Sequence, residues 1–264
     1  MGGRMGRALS TLSGVVPAIA VLALPSLAVA TPVVTFKAKP VPIPGYPHTG
    51  FILGAGAALE AEYHISGTEY GGFPPPLSGI TFYLPAGVLL HPQGFPTCPV
   101  STLEPTGRGP SHCPRGSAAG PPGEATGYVA FGTEVVPETA RIESFYAPGG
   151  GLTFFTFGHA PVLLEIISKG HYVPAAGPFS RKLESQIPLV ETVPGAQDAS
   201  VKSIKVKVGS AIRVNGKPLF YGRLPRRCPA ANYLPVKTEV RFAGLGGLPP
   251  QTVTVEYKAP CPRR

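Results

Sequence analysis

The chain contains no tryptophan, two methionines and a single aspartate, Asp198. Without tryptophan, the broadest aromatic platform for stacking a sugar ring is missing. With one aspartate, a Ser-His-Asp triad has one possible acid. No serine sits in a G-x-S-x-G turn; Ser117, in "RGSAAG", does not match it. No two cysteines are spaced C-x-x-C, which excludes a thioredoxin-like redox motif and the usual zinc spacing. No segment carries a helical period with caps. Beyond residue 30, no apolar run is long enough to cross a bilayer.

What is present begins with a leader. Arg4 and Arg7 are followed by an uncharged, mostly apolar run from Leu12 to Leu24. Ala28-Val29-Ala30 then offers small residues for cleavage. This order predicts a secretory signal peptide over 1–30, with the mature chain starting at Thr31 and no transmembrane segment after cleavage. The formal charge is +9, or +7 once Arg4 and Arg7 are removed. Such a charge outside the cell favours anionic partners, such as cell-wall polymers, and equally serves solubility. Nucleic acid is not an expected partner, since the chain is exported and lacks stacking motifs. The chain holds 34 glycines and 34 prolines, which approaches low-complexity levels. Hydrophobic residues nevertheless make up 43% and charged residues only 14%. That balance predicts long Pro/Gly loops on a folded scaffold rather than disorder.

Cys98, Cys113, Cys228 and Cys261 are each followed by proline. An exported chain favours disulfides, and four cysteines allow three pairings. Proximity selects Cys98–Cys113 and Cys228–Cys261, each contributing about 3–4 kcal/mol by loop-closure entropy. The prolines end strand pairing just past each staple. No cofactor or metal is called for.

Residues 31–48, with prolines at 40, 42, 44 and 47, read as an extended, polyproline-like lead. Residues 57–66 alternate, with Leu59, Ala61, Tyr63 and Ile65 on one face and Glu60, Glu62 and His64 on the other. "GITFYLPAGVLL" reads as a strand broken at Pro85. Four β-rich runs crowd between 126 and 169. Ile204, Val206 and Val208 alternate with Lys205 and Lys207, and Asn215-Gly216 marks a hairpin. "PVKTEVRF" and "QTVTVEYK" alternate likewise. The fold class expected is all-β, an antiparallel β-sandwich over 49–264 with long Pro/Gly loops and two disulfides. Two smaller units divided near 174–178 are the alternative.

Two sets of residues invite chemistry. Glu60 and Glu62 share a strand face at a spacing of roughly 6.5–7 Å, which could place two carboxylates for glycoside hydrolysis. In such an enzyme both would line a cleft with aromatic walls; on an open face they are ordinary solvated residues. Lys205, Lys207, Arg213, Lys217, Arg226 and Arg227 would form one basic patch if the last two strands paired with the hairpin. The same lysines also suit a strand edge that resists aggregation. His159, His171 and Glu165 are a weaker candidate metal set.

The segments "YLPAGVLLHPQGFPTCP", "CPRGSAAG", "IPLVETVPGAQDASV" and "RRCPAANYLPVKTEVRF" resemble uncharacterised predicted secreted proteins of actinobacteria with paired Cys-Pro motifs. The resemblance implies export and a disulfide-bonded β fold. It assigns no activity. The expectation is an exported, non-enzymatic binding or structural module, secreted or held at the cell envelope. Its partners would be anionic wall polymers or envelope proteins. A carbohydrate-active hydrolase using Glu60 and Glu62 is the rival.

Overall fold

The computed structural model describes Gly2 and residues 31–262, apart from 105–106, 132–133, 193, 196–197, 246 and 248. The leader expected over 1–30, apart from Gly2, lies outside the described residues. Among them, the strands are β1 (Val33–Val41), β2 (Ala58–Ser66), β3 (Leu77–Pro85), β4 (Leu89–Leu90), β5 (Gly123–Phe131), β6 (Glu134–Tyr146), β7 (Leu152–Gly158) and β8 (Leu164–Pro174). They continue with β9 (Phe179–Gln186), β10 (Ser200–Val208), β11 (Ala211–Val214), β12 (Lys217–Phe220), β13 (Gly222–Arg223), β14 (Tyr233–Phe242) and β15 (Gln251–Pro260). The one α-helix among the described residues, α1, is the single turn Val100–Leu103.

Eleven strands form one sheet in the order β1-β2-β10-β5-β6-β7-β8-β9-β3-β14-β15. Every pairing is antiparallel. The pairing of β8 with β9 carries the sheet across 174–178. The clearest strands hide one face. On β1, Val34, Phe36 and Ala38 are buried while Thr35, Lys37 and Lys39 are exposed. On β14, Leu234, Val236, Thr238, Val240 and Phe242 are buried. A one-sided apolar sheet has to cover that side, and strand twist lets it do so by curling. The two end strands, β1 and β15, come to lie side by side without a hydrogen-bonded ladder. Across this seam the Phe36 ring is 6.2 Å from Tyr257 and 5.8 Å from Phe82. The result is sandwich-like and nearly a closed barrel.

The expected lead over 31–48 is corrected here, because its first part is strand β1. Alternating Val34, Phe36 and Ala38 have an inner face to fill. Pro40 is tolerated because β1 is an edge strand, where a missing N–H need not break a ladder. Strand β9 was also not anticipated from the sequence; only Leu183 and Ser185 are buried on it.

The long connections gather at one end. Segments 42–57, 86–122 and 209–232 all emerge there, and both disulfides, Cys98–Cys113 and Cys228–Cys261, form there as expected. The first staple has a definite task. Phe145, Phe155, Phe157 and Ile167 point outward from β6, β7 and β8 and would leave an apolar patch in water. Cys98 and Leu103 of the stapled segment pack over it. The segment is tied to β6 by Cys98 N–H to Tyr146 O at 2.9 Å and Ala119 N–H to Ser144 O at 2.7 Å.

Replacing Cys98 and Cys113 by alanine is expected to lower stability by about 3 kcal/mol. Denaturant unfolding of the variant measures this. A loss below about 1 kcal/mol would mean that the staple does not hold the segment on the aromatic patch.

Candidate functional site

The structure places the two glutamates on the outer face of the sheet, between rows of lysines. Glu60 lies between Lys39 and Lys207 in register, and Glu62 between Lys37 and Lys205. Glu60 Oε1 is 3.1 Å from Lys39 Nζ, and its Oε2 is 3.5 Å from Lys207 Nζ. Glu62 Oε1 is 3.1 Å from His64 Nε2. The second row continues through Glu124 and Arg141, alternating in sign across five strands. Partial burial pushes the Glu60 carboxyl up, but hydrogen bonds and charge from Lys39 and Lys207 outweigh this and hold it below the ordinary value. A glycosidase acid needs the opposite shift.

The pairing on which the expected basic patch depended, of the last two strands with the hairpin, is absent among the described residues. Lys205 and Lys207 alternate with glutamates on the barrel wall. The hairpin β11–β12, which carries Arg213 and Lys217, is a separate two-stranded sheet and pairs with neither β14 nor β15. Its turn has Asn215 at φ 50° and Gly216 at φ 76°, as the sequence signal implied. Arg226 and Arg227 border a shallow recess with Ile52 and Leu53. Four of the six cations therefore belong to the loop-rich end, while two belong to the wall.

The remaining candidates are dispersed. Glu165 and His171 are six residues apart on β8, roughly 20 Å along the strand. His171 Nε2 instead sits 3.4 Å from Glu184 Oε2, and His159 meets the edge of Phe157. Among the described residues, no group of three His, Cys, Asp or Glu side chains is placed to hold a metal. Ser117 is fully buried at the loop-rich end, whereas Asp198 lies near the opposite end. Burial, then Glu191, pushes the Asp198 carboxyl up.

The feature that the sequence did not announce lies inside. All eleven strands of the curled sheet contribute inner side chains to a cavity of about 240 Å³. Its walls are apolar, among them Ile80, Phe82, Ile142, Phe154, Ile166 and Val206. Ile80, Phe154, Ile166, Ile204 and Val206 point inward yet are only half-buried, because open space rather than protein faces them. Arg223, on β13 at the loop-rich end, is the one charged residue along this lining. Its guanidinium carbon lies 5.6 Å from the Phe220 ring.

An aromatic cluster lies at the loop-rich side, and its Tyr221 lines the chamber. Tyr146 and Tyr221 stack at 4.1 Å, and Phe95 meets them edge-on at 5.0 and 5.4 Å. Tyr146 Oη is 2.9 Å from Ser210 Oγ, and Tyr221 donates to Gly150 O at 3.2 Å. Burial pushes the phenols of Tyr63, Tyr146 and Tyr172 well up and that of Tyr221 up to about 12. These groups are neutral hydrogen-bonding elements of the wall at any ordinary pH.

Comparison of the chain with known protein families, curated proteins and solved structures found no match. The chamber therefore has to be judged on its own chemistry. A signal for it does exist in the sequence. Inner positions of neighbouring strands carry Ala125, Thr156, Ser168, Gly170 and Ser185, which are too small to fill an eleven-stranded interior. That reading needs the strand order, which the sequence alone did not provide.

Changing Glu60 to Gln is expected to lower Tm by about 1–2 °C at neutral pH, because a partly exposed ion pair contributes only ~0.5 kcal/mol. Glu60 has a depressed folded pKa. Its contribution is present above the unfolded value and fades as pH falls through the folded one. Thermal unfolding of both forms across that range tests this. A gap that widens on acidification would contradict it.

Proposed function

We propose that this protein is an exported, non-enzymatic module of the cell envelope or its surroundings that holds an apolar small molecule inside its curled sheet. The carrying observation is the chamber itself, about 240 Å³ and walled by inner side chains of all eleven strands. A well-packed domain closes such space, since interiors pack like organic crystals. An apolar cavity of roughly 150 Å³ stays dry and accepts benzene. On that scale this chamber suits a molecule of about ten carbon atoms.

Export is supported by the leader and by two disulfides, which persist in oxidising compartments. No helix among the described residues is long and apolar enough to cross a membrane. Arg213, Lys217, Arg226 and Arg227, all on connections at the loop-rich end, are the side chains suited to anionic wall polymers or an envelope partner. The hydrolase reading has lost its support, since Glu60 is held by Lys39 and Lys207 on the outer face.

The test uses butylbenzene, a ten-carbon apolar probe, with the oxidised mature chain. It is expected to raise Tm in a concentration-dependent way. Filling the chamber with Val206→Phe, or separately with Ala125→Leu, is expected to abolish that shift. Failure of butylbenzene to bind the wild-type chain would overturn the proposal.

A further inference from the structure

Resting on that reading, we infer that the ligand carries one uncharged oxygen, an alcohol or a carbonyl, held by the hydroxyls of Ser168 and Ser185. Both serines line the chamber and are 7% exposed. Some buried hydroxyls inside the sheet find partners within the protein. Tyr63 Oη lies 3.3 Å from Thr238 Oγ1, Thr238 donates to Thr81 O at 3.1 Å, and Ser200 donates to Pro74 O. Ser168 and Ser185 have no side-chain hydrogen bond to the described protein. Their hydroxyls face the open chamber rather than protein acceptors, so two of them on one otherwise apolar wall mark a place where a ligand oxygen gains hydrogen bonds.

Register brings them together. Ser168 stands opposite Phe154, and two residues further along β8 Gly170 stands opposite Ser185. The serines are thus diagonal neighbours on adjacent strands, within roughly 7–8 Å. Thr156, on β7, extends the same diagonal on the other side of Ser168 and also lines the chamber. Gly170 keeps the space between them clear. A Cβ there would come within 2.8 Å of Ser185 Oγ and 3.0 Å of a Leu183 methyl. Ser185 is fixed from outside, where Arg241 Nη2 donates to its carbonyl at 2.9 Å and Nη1 donates to Thr81 Oγ1 at 2.6 Å.

The chemistry of the wall selects the ligand. The hydroxyls can donate to a ketone or exchange hydrogen bonds with an alcohol. They cannot neutralise a carboxylate, and the one charged lining residue, Arg223, lies at the loop-rich end on β13. A carboxylate among Ser168, Ser185 and Thr156 would be a buried charge without a counter-ion, which is strongly unfavourable.

Three probes with the same ten-carbon count separate the possibilities: butylbenzene, benzylacetone and phenylbutyrate. Each is titrated against the oxidised mature chain and against Ser168→Ala, Ser185→Ala and the double variant. The affinity ratio of benzylacetone to butylbenzene is expected to fall about threefold in each single variant and about tenfold in the double. Phenylbutyrate is expected to bind weakest. The alanine variants stay folded, with an unliganded Tm close to that of the wild type, because neither hydroxyl holds a partner within the protein. An unchanged ratio in the double variant overturns the inference while leaving the chamber reading intact. Phenylbutyrate binding tightest also overturns it, and shifts recognition to Arg223. No binding of butylbenzene to the wild type is instead the failure of the chamber reading itself.

Discussion

Alternation of inner and outer residues along eleven antiparallel strands is the constraint on which everything else rests. It gives the sheet one apolar face and one polar face. With no α-helix beyond the single turn α1 among the described residues, no helical layer covers the apolar face. The sheet has to cover itself, and it curls until β1 and β15 meet. Inner side chains then decide how full the enclosed space becomes. Large residues such as Phe36, Tyr63, Phe82 and Phe242 fill the region near the seam. Alanine, glycine, serine and threonine on β5, β7, β8 and β9 leave the far wall set back, and the chamber is the space that remains.

The outer face is organised by the same register. Lys37, Glu62, Lys205, Glu124 and Arg141 form a row of alternating charge, and Lys39, Glu60 and Lys207 form a second. Opposite charges directly across strands stabilise pairing modestly, and they set which strand neighbours which. The exception is the aromatic patch on β6, β7 and β8, where Phe145, Phe155 and Phe157 face out. There the disulfide-tied segment serves as a second, local layer. The two ends of the barrel differ accordingly, one carrying the staples, the hairpin and the aromatic cluster, the other the connections 67–76 and 187–199.

Local pattern was legible in the sequence, and non-local pattern was not. The alternation of Leu59 to Ile65 and of Ile204 to Val208, the Asn215-Gly216 turn, the break after Pro85 and both cysteine pairings all depend on residues close in the chain. Strand β1 was obscured by its prolines, because an edge strand tolerates what a central one does not. Strand β9 was obscured because its outer face is charged and its inner face includes Ser185. The fates of Glu60, Glu62, Lys205 and Lys207 depend on which strands become neighbours. Carboxylates and lysines that seemed separate features on separate strands turned out to be each other's partners. The chamber is the least local feature of all, since every strand of the sheet contributes to it.

Whether the interior is open or filled is the central physical claim. Diffraction from a crystal of the oxidised chain from Thr31 onward under xenon pressure tests it most directly, because xenon enters dry apolar cavities without needing a specific contact. The account requires xenon density inside the sheet, in the space walled by Ile80, Phe154 and Ile166. An interior without xenon, with those side chains packed against one another, would contradict it.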